Sequence, residues 1–220
     1  MCRVVFLFLL LMAAAPAWSG AWLREKDAAF TAASVTAFKD PDGSFNYKTA
    51  LYAEYGLRPK VTIGLDLEQN RDYFGHALVF ARVPVADFDD WGRFAAEFGA
   101  GAHYRLFGSW AMYKLTLSYG KGFQTGLGNG WFAVDAAWEN RTHDAVFRKL
   151  DITTGLSGDR LLNPMMQIET SYTPESSLFW TVRPSVLIRG RDNGRTWVLG
   201  FERNKARNDT GVKFALWNTF

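Results

Sequence analysis

The feature that most limits what this chain can fold into is a period-two pattern of side chains that recurs nearly end to end. In the last ten residues, "GVKFALWNTF", Val212, Phe214, Leu216 and Phe220 fall on one side of an extended strand. Gly211, Lys213, Ala215 and Thr219 fall on the other, because successive strand side chains point to opposite faces. The same alternation predicts strands over residues 30–38, 45–55, 61–69, 75–83, 91–104 and 110–119. A second group follows over 131–139, 145–155, 165–172, 178–189, 196–204 and 210–220. Each is close to the roughly nine to eleven residues that a tilted membrane-crossing strand needs. Turn chemistry separates them: "KDPDG" at 39–43, "TPESS" at 173–177 and the Asn-Gly of "RDNGR" at 191–195. No heptads, amphipathic helix, solenoid repeat or interdomain linker interrupts the pattern. The fold class expected is all-β: a closed up-and-down antiparallel transmembrane β-barrel of about twelve strands, with ten to fourteen admitted by the soft boundaries.

Alternation by itself does not say which face points in. Eight strands enclose a space that side chains just fill, whereas twelve leave a wider one. An apolar lining would make that space a greasy hole, so the apolar face is expected outside, against lipid. A soluble two-sheet sandwich is the alternative architecture. With the apolar face outward, the lumen-lining set becomes Lys48, Glu54, Asp66, Glu68, Arg93, Glu97, Lys114, Asp135, Glu139, Lys149, Asp151, Glu169, Arg183, Glu202 and Lys213. Opposite them lie residues such as Tyr47, Leu51, Ile63, Leu65, Val134, Trp138, Trp197, Leu199 and Phe201. Aromatic residues near strand ends, among them Phe45, Trp91, Trp110 and Trp217, are expected to form two interfacial girdles.

The start of the chain has a different build. "MCRVVFLFLLLMAAAPAWSG" carries one basic residue, Arg3, an apolar run over 4–15, and small residues near 17–21. That is the construction of a secretory signal peptide, with cleavage expected after Ser19 or Ala21; a retained signal-anchor is the alternative. The expected domains are therefore a signal peptide at 1–19, a lead-in at 22–29 that is a short helical turn or irregular, and one barrel at 30–220. Cys2 is the only cysteine and precedes the cleavage region, which excludes disulfides and thiol chemistry from the processed chain. The formal charge of +3 comes from interspersed acids and bases and gives no nucleic-acid footprint. Aromatics at 16% and 20 glycines fit strands with one face in lipid and one in water.

The terminal strand "VKFALWNTF" resembles the C-terminal assembly signal of Gram-negative outer-membrane β-barrel proteins. The resemblance implies an outer-membrane location, lipid and the barrel-assembly machinery as partners, and signal roles for Phe214, Leu216 and Phe220. The segment "LYAEYGLRPKVTIGLDL" at 51–67, a strand–turn–strand unit, extends the likeness of architecture. With the last strand ending in the periplasm, "GKGFQTGLGNG" (120–130) and "SGDRLLNP" (157–164) become periplasmic connections. They are longer than such turns usually are.

Candidate chemistry is sparse. His76, His103 and His143 read "HAL", "HYR" and "HDA", none with a serine two residues along the strand. Asp89–Asp90 and His143–Asp144 each place adjacent side chains on opposite strand faces, which ill suits an acid pair or a His–Asp pair. No cofactor or metal is expected. "GKGFQTGLGNG" lacks the order of a phosphate loop. The expected function is a passive, narrow pore for small hydrophilic solutes, formed by a monomer. A non-conducting structural or lipid-contacting barrel, a rim hydrolase and a soluble periplasmic binding module are the alternatives. Two segments resist the scheme: Pro184 sits inside a strand, and 75–83 is apolar on both faces.

Overall fold

The structure, a computed structural model, describes residues 20–39, 43–71, 74–158, 160–190, 194–205 and 209–220. The expected signal peptide at 1–19 and most of the expected turns at 39–43 and 191–195 lie outside the described residues. Twelve strands follow one another: β1 (Ala29–Lys39), β2 (Phe45–Arg58), β3 (Val61–Asn70), β4 (Gly75–Asp87), β5 (Arg93–Arg105) and β6 (Gly108–Thr125). They continue with β7 (Gly128–Arg141), β8 (Val146–Ser157), β9 (Leu162–Tyr172), β10 (Phe179–Arg189), β11 (Arg195–Asn204) and β12 (Thr210–Thr219). Every neighbour is antiparallel, and β1 pairs with β12 from Phe30↔Thr219 to Lys39↔Thr210, so the sheet closes on itself. Closure leaves no strand edge with unpaired backbone groups, the condition for a sheet to cross a membrane.

All the expected strands are present, and the largest difference is at 120–130. That stretch is not a connection: β6 and β7 run through it and leave Gly126 and Leu127 as a two-residue turn. Its glycines are there for packing rather than for looping. A Cβ on Gly120 would lie 2.5 Å from the Trp22 ring, and one on Gly130 would lie 2.2 Å from the Phe123 ring. Connections are therefore short at both rims.

The two resistant segments resolve differently. Pro184 stays in register opposite Met166 of β9, while the β10–β11 ladder lapses only between Val182↔Arg203 and Ser185↔Gly200. The missing N–H costs pairing on one side, and neither a bulge nor a strand restart is required. Pro84, in contrast, borders a bulge in the β4–β5 pairing. In β4 the apolar Leu78 and Phe80 point inward and are buried, while Val79 is 63% exposed on the outer wall. Phe80 fits inside because Gly64 opposes it (a Cβ there would meet the ring at 2.2 Å), and it stacks on Tyr52 at 5.4 Å.

Facing is uniform around the ring. The outer wall exposes Leu51, Phe98, Leu115, Trp197, Phe201 and Phe214, while Glu54, Glu97, Glu139, Arg183 and Glu202 are buried in the interior. A soluble protein places these two classes the other way round.

Candidate functional site: the barrel interior

Strand register decides which side chains can meet. Inward positions of β2 are 48, 50, 52 and 54, and the pairings Lys48↔Asn70, Glu54↔Gly64 and Thr62↔Arg82 carry the same parity into β3 and β4. Carried around the closed sheet, that parity brings charges from separate strands together. Near the end of the barrel that holds the termini, Arg82 donates to Glu54 at 2.6 Å and to Glu97 at 2.6 Å, and Tyr52 donates to Glu54 at 2.7 Å. Halfway along, Lys114 of β6 reaches Asp66 of β3 at 3.3 Å, with His76 Nε2 3.3 Å from the other carboxylate oxygen. Towards the far rim, Lys149 and Arg141 hold Glu139 at 2.7 and 2.9 Å. Arg183 holds Glu169 at 2.6 Å and Glu202 at 2.7 Å, and Lys48 approaches Glu202 at 3.5 Å. The β2–β11 and β3–β6 contacts skip intervening strands, so they cross the interior rather than run along the wall.

Of the residues expected to line the lumen, Glu68 is more than two-fifths exposed, and so is Arg93. Arg93 sits at the rim beside Asp87 at 3.5 Å. Arg24, Tyr52, Arg82 and Arg141 belong to the interior set and were not expected there. Arg82 lies in the strand whose two apolar faces hid its parity. Arg141 lies beyond the expected end of β7, and Arg24 lies in the lead-in.

That lead-in is irregular over 22–25 with a turn at 26–27, and it is held in place. Residues 20–24 run inside the barrel, and 25–27 lie exposed at its mouth. Ala21, Trp22 and Arg24 are buried, and Arg24 donates its backbone N–H to Thr62 Oγ1 at 2.9 Å and its Nε to Glu54 at 2.5 Å. Its guanidinium also lies over the Phe30 ring at 4.4 Å. Asp27 N–H donates to the Gly56 carbonyl and Gly56 N–H to the Ala28 carbonyl, at 2.8 and 2.9 Å. Gly56 permits this approach, since a Cβ there would lie 1.8 Å from the Glu25 oxygen. Trp22 packs in an apolar cluster with Trp131, Ala133, Met165, Leu187, Val198 and Ala215, against which Trp217 leans. Polar strands thus carry an apolar inner patch where the segment docks.

Above the docked segment is a cavity of about 270 Å³, bordered by Gly20, Tyr52, Lys114, Asp135, Lys149, Asp151, Lys213 and Trp217. Asp135, Asp151 and Glu169 stand opposite one another on β7, β8 and β9. Like charges in that arrangement repel. Arg183 answers Glu169, whereas Asp151 accepts, among the described residues, only the Thr170 backbone N–H at 3.3 Å. The histidines are distributed: His76 faces Asp66, and His103 Nε2 lies 3.0 Å from the Thr142 carbonyl. His143 adopts a left-handed φ of 63° near Trp110. Among the described residues no three His, Cys, Asp or Glu side chains are placed to hold a metal ion.

No protein-family model matches the chain, and no curated protein matches it by sequence. Solved structures do match in fold. The KdgM porin superposes with a TM-score of 0.61 at 9% identity, covering 87% of this chain and 99% of that one. The KdgM porin in complex with disordered oligogalacturonate gives 0.59 at 9% identity, over 87% and 99%. The NanC porin gives 0.56 at 10% identity, over 86% and 98%. At such identity the likeness is one of fold: a closed antiparallel barrel of the outer-membrane type.

Proposed function

We propose that this protein is an outer-membrane pore for small hydrophilic solutes, narrowed from one end by its own N-terminal segment. The observation that carries this reading is the interior itself, a nearly balanced set of acids and bases around a polar cavity of about 270 Å³. A wall of this kind suits water and small polar solutes and selects weakly by charge. The outer surface supports a membrane setting. Exposed Leu51, Val79, Phe98, Leu115 and Phe214 form an apolar wall that lipid covers. Two hollows of about 590 and 670 Å³ on that wall are lined mainly by apolar side chains and belong to lipid. The aromatic rings at the strand ends then sit at the two interfaces, and the protein works as a monomer.

KdgM binds oligogalacturonate, an acidic oligosaccharide, in the solved complex. In this chain most interior cations are already paired with carboxylates, so a strong preference for polyanions does not follow. Lys213, which borders the cavity with no carboxylate among the described residues within salt-bridge distance, is the cation best placed to meet a passing anion.

One observation favours a second reading, a barrel that does not conduct: segment 20–28 and the Trp22 cluster fill the end that holds the termini. Planar-bilayer recording of the refolded chain beginning at Gly20 separates the two. Discrete, small conductance steps are expected, and larger ones from a chain lacking residues 20–27. Silence from both chains would leave the non-conducting barrel as the function.

A further inference from the structure

The deepest part of the inserted segment meets an interior carboxylate that has a hydrogen bond from Ser118 but, among the described residues, no cation paired with it. Asp135 points inward from the middle of β7, and its Oδ1 is buried without a hydrogen-bond partner. Its register neighbours are Ser118 and Asp151, neither of them a cation. Two lysines on the same cavity are engaged elsewhere, Lys114 with Asp66 at 3.3 Å and Lys149 with Glu139 at 2.7 Å. A buried carboxylate oxygen left in this state is destabilising unless a donor reaches it. What lies against it is Gly20: a Cβ on that residue would fall 2.9 Å from Asp135 Oδ1 and 3.4 Å from Oδ2.

Gly20 follows Ser19, with Ala17 two positions earlier, the small-residue spacing that a signal peptidase cuts. Hydrolysis of the Ser19–Gly20 amide consumes one water. Ser19 leaves as a carboxylate, and the Gly20 nitrogen keeps the electron pair of the broken C–N bond and protonates to an α-ammonium.

We propose that export processing creates the missing partner: the peptidase cuts after Ser19, and the new Gly20 α-ammonium docks on Asp135 inside the barrel. The unprocessed chain has one amide N–H at this position and no charge. The processed chain has three N–H donors and a positive charge beside an acid whose Oδ1 has no donor. Glycine suits the site because any side chain would occupy the space of the carboxylate. Cutting after Ala21 instead would discard both Gly20 and Ala21, although Ala21 is buried beside Gly120, where a Cβ would approach its own at 3.0 Å. The ion pair therefore fixes the plug only once the chain has been exported and trimmed. This inference holds whether or not the barrel conducts.

The test begins with the mass and N-terminal sequence of protein extracted from the outer membrane, where a start at Gly20 is expected and a start at Trp22 overturns the proposal. The chain beginning at Gly20 is then refolded with its α-amine free or acetylated, in the native sequence and with Asp135→Asn. In the native sequence acetylation should lower the folding equilibrium constant about tenfold or more. In the Asp135→Asn background it should change little, because the two alterations remove the same contact. Equal losses in both backgrounds would overturn the pairing. If Asp135→Asn does not close into a barrel, limiting acetic anhydride on the folded native protein decides. The Gly20 amine should react more slowly than exposed Lys26, and equal reactivity would contradict the proposal.

Discussion

Arg82 shows how a single side chain organises this interior. Its guanidinium joins Glu54 of β2 to Glu97 of β5 and donates to the Tyr52 hydroxyl, so three strands are tied through one planar group. Arginine suits this because its donors leave in fixed directions, whereas a lysine would serve one partner at a time. Glu54 is in turn shared by Arg24 and Arg82. Replacing Glu54 with glutamine leaves two buried guanidinium groups short of charge. The expected loss is about 3–5 kcal/mol in urea-titrated folding into vesicles. On the outer wall the logic reverses. Leu115 is 52% exposed and registers with outward Phe98 and Trp138 near the middle of the strands. Leu115→Arg should cost about 2–4 kcal/mol in the same vesicle assay. A protein with a water-facing exterior would tolerate it freely. The sequence made both residues of this contrast readable at Glu54 and Leu115, since each sits in a clean alternation. It hid Arg82, because β4 is apolar on both faces and only the packing of Phe80 over Gly64 settles its parity.

At the scale of elements, the inserted segment is what separates this molecule from a bare cylinder. It is held by backbone bonds to Gly56, by Arg24 on Glu54 and Thr62, and by Trp22 over Gly120. Gly56→Ala would force the segment off the wall, because the added carbon meets a backbone oxygen at 1.8 Å rather than a flexible side chain. It should cost about 1–3 kcal/mol and raise protease access to residues 20–28. Gly126→Ala, at the β6–β7 turn with no atom within 4 Å of the added carbon, should leave both unchanged. Limited proteolysis of folded protein in detergent reads the difference. None of this was legible in "WLREKDAA", whose composition fits any lead-in; the signal was spread over distant residues, as glycines spaced to receive it. The sequence predicts a long connection at the β6–β7 hairpin for a related reason. Glycine reads as a turn former, but at Gly120 and Gly130 it is a gap that an aromatic ring fills.

The whole molecule depends on closure between its first and last strands, made by ten register pairs and by reciprocal backbone bonds between Ala29 and Phe220. Removing Phe220 takes away both of those bonds and a large exposed ring. Assembly into the outer membrane should slow several-fold relative to the full chain, read as the heat-modifiable gel mobility of folded barrels over time. Barrel class and strand number were legible because period-two patterning is repeated in every strand and tolerates errors at single boundaries. The pairing of interior charges was not, since it depends on side chains from strands far apart in sequence meeting across the axis.

The barrel turns its apolar side chains to acyl chains and its ionic ones to the axis. Cys2 is the only cysteine, so a refolded chain starting at Gly20 accepts single nitroxide labels without further change. Labels at Val79, Leu115 and Phe214 should relax strongly with oxygen and weakly with a water-soluble nickel chelate in vesicles, and labels at Asp151 and Lys213 should not share that lipid signature. Nickel access at the first three positions equal to that of an aqueous label would contradict the membrane-spanning barrel and the pore proposed for it.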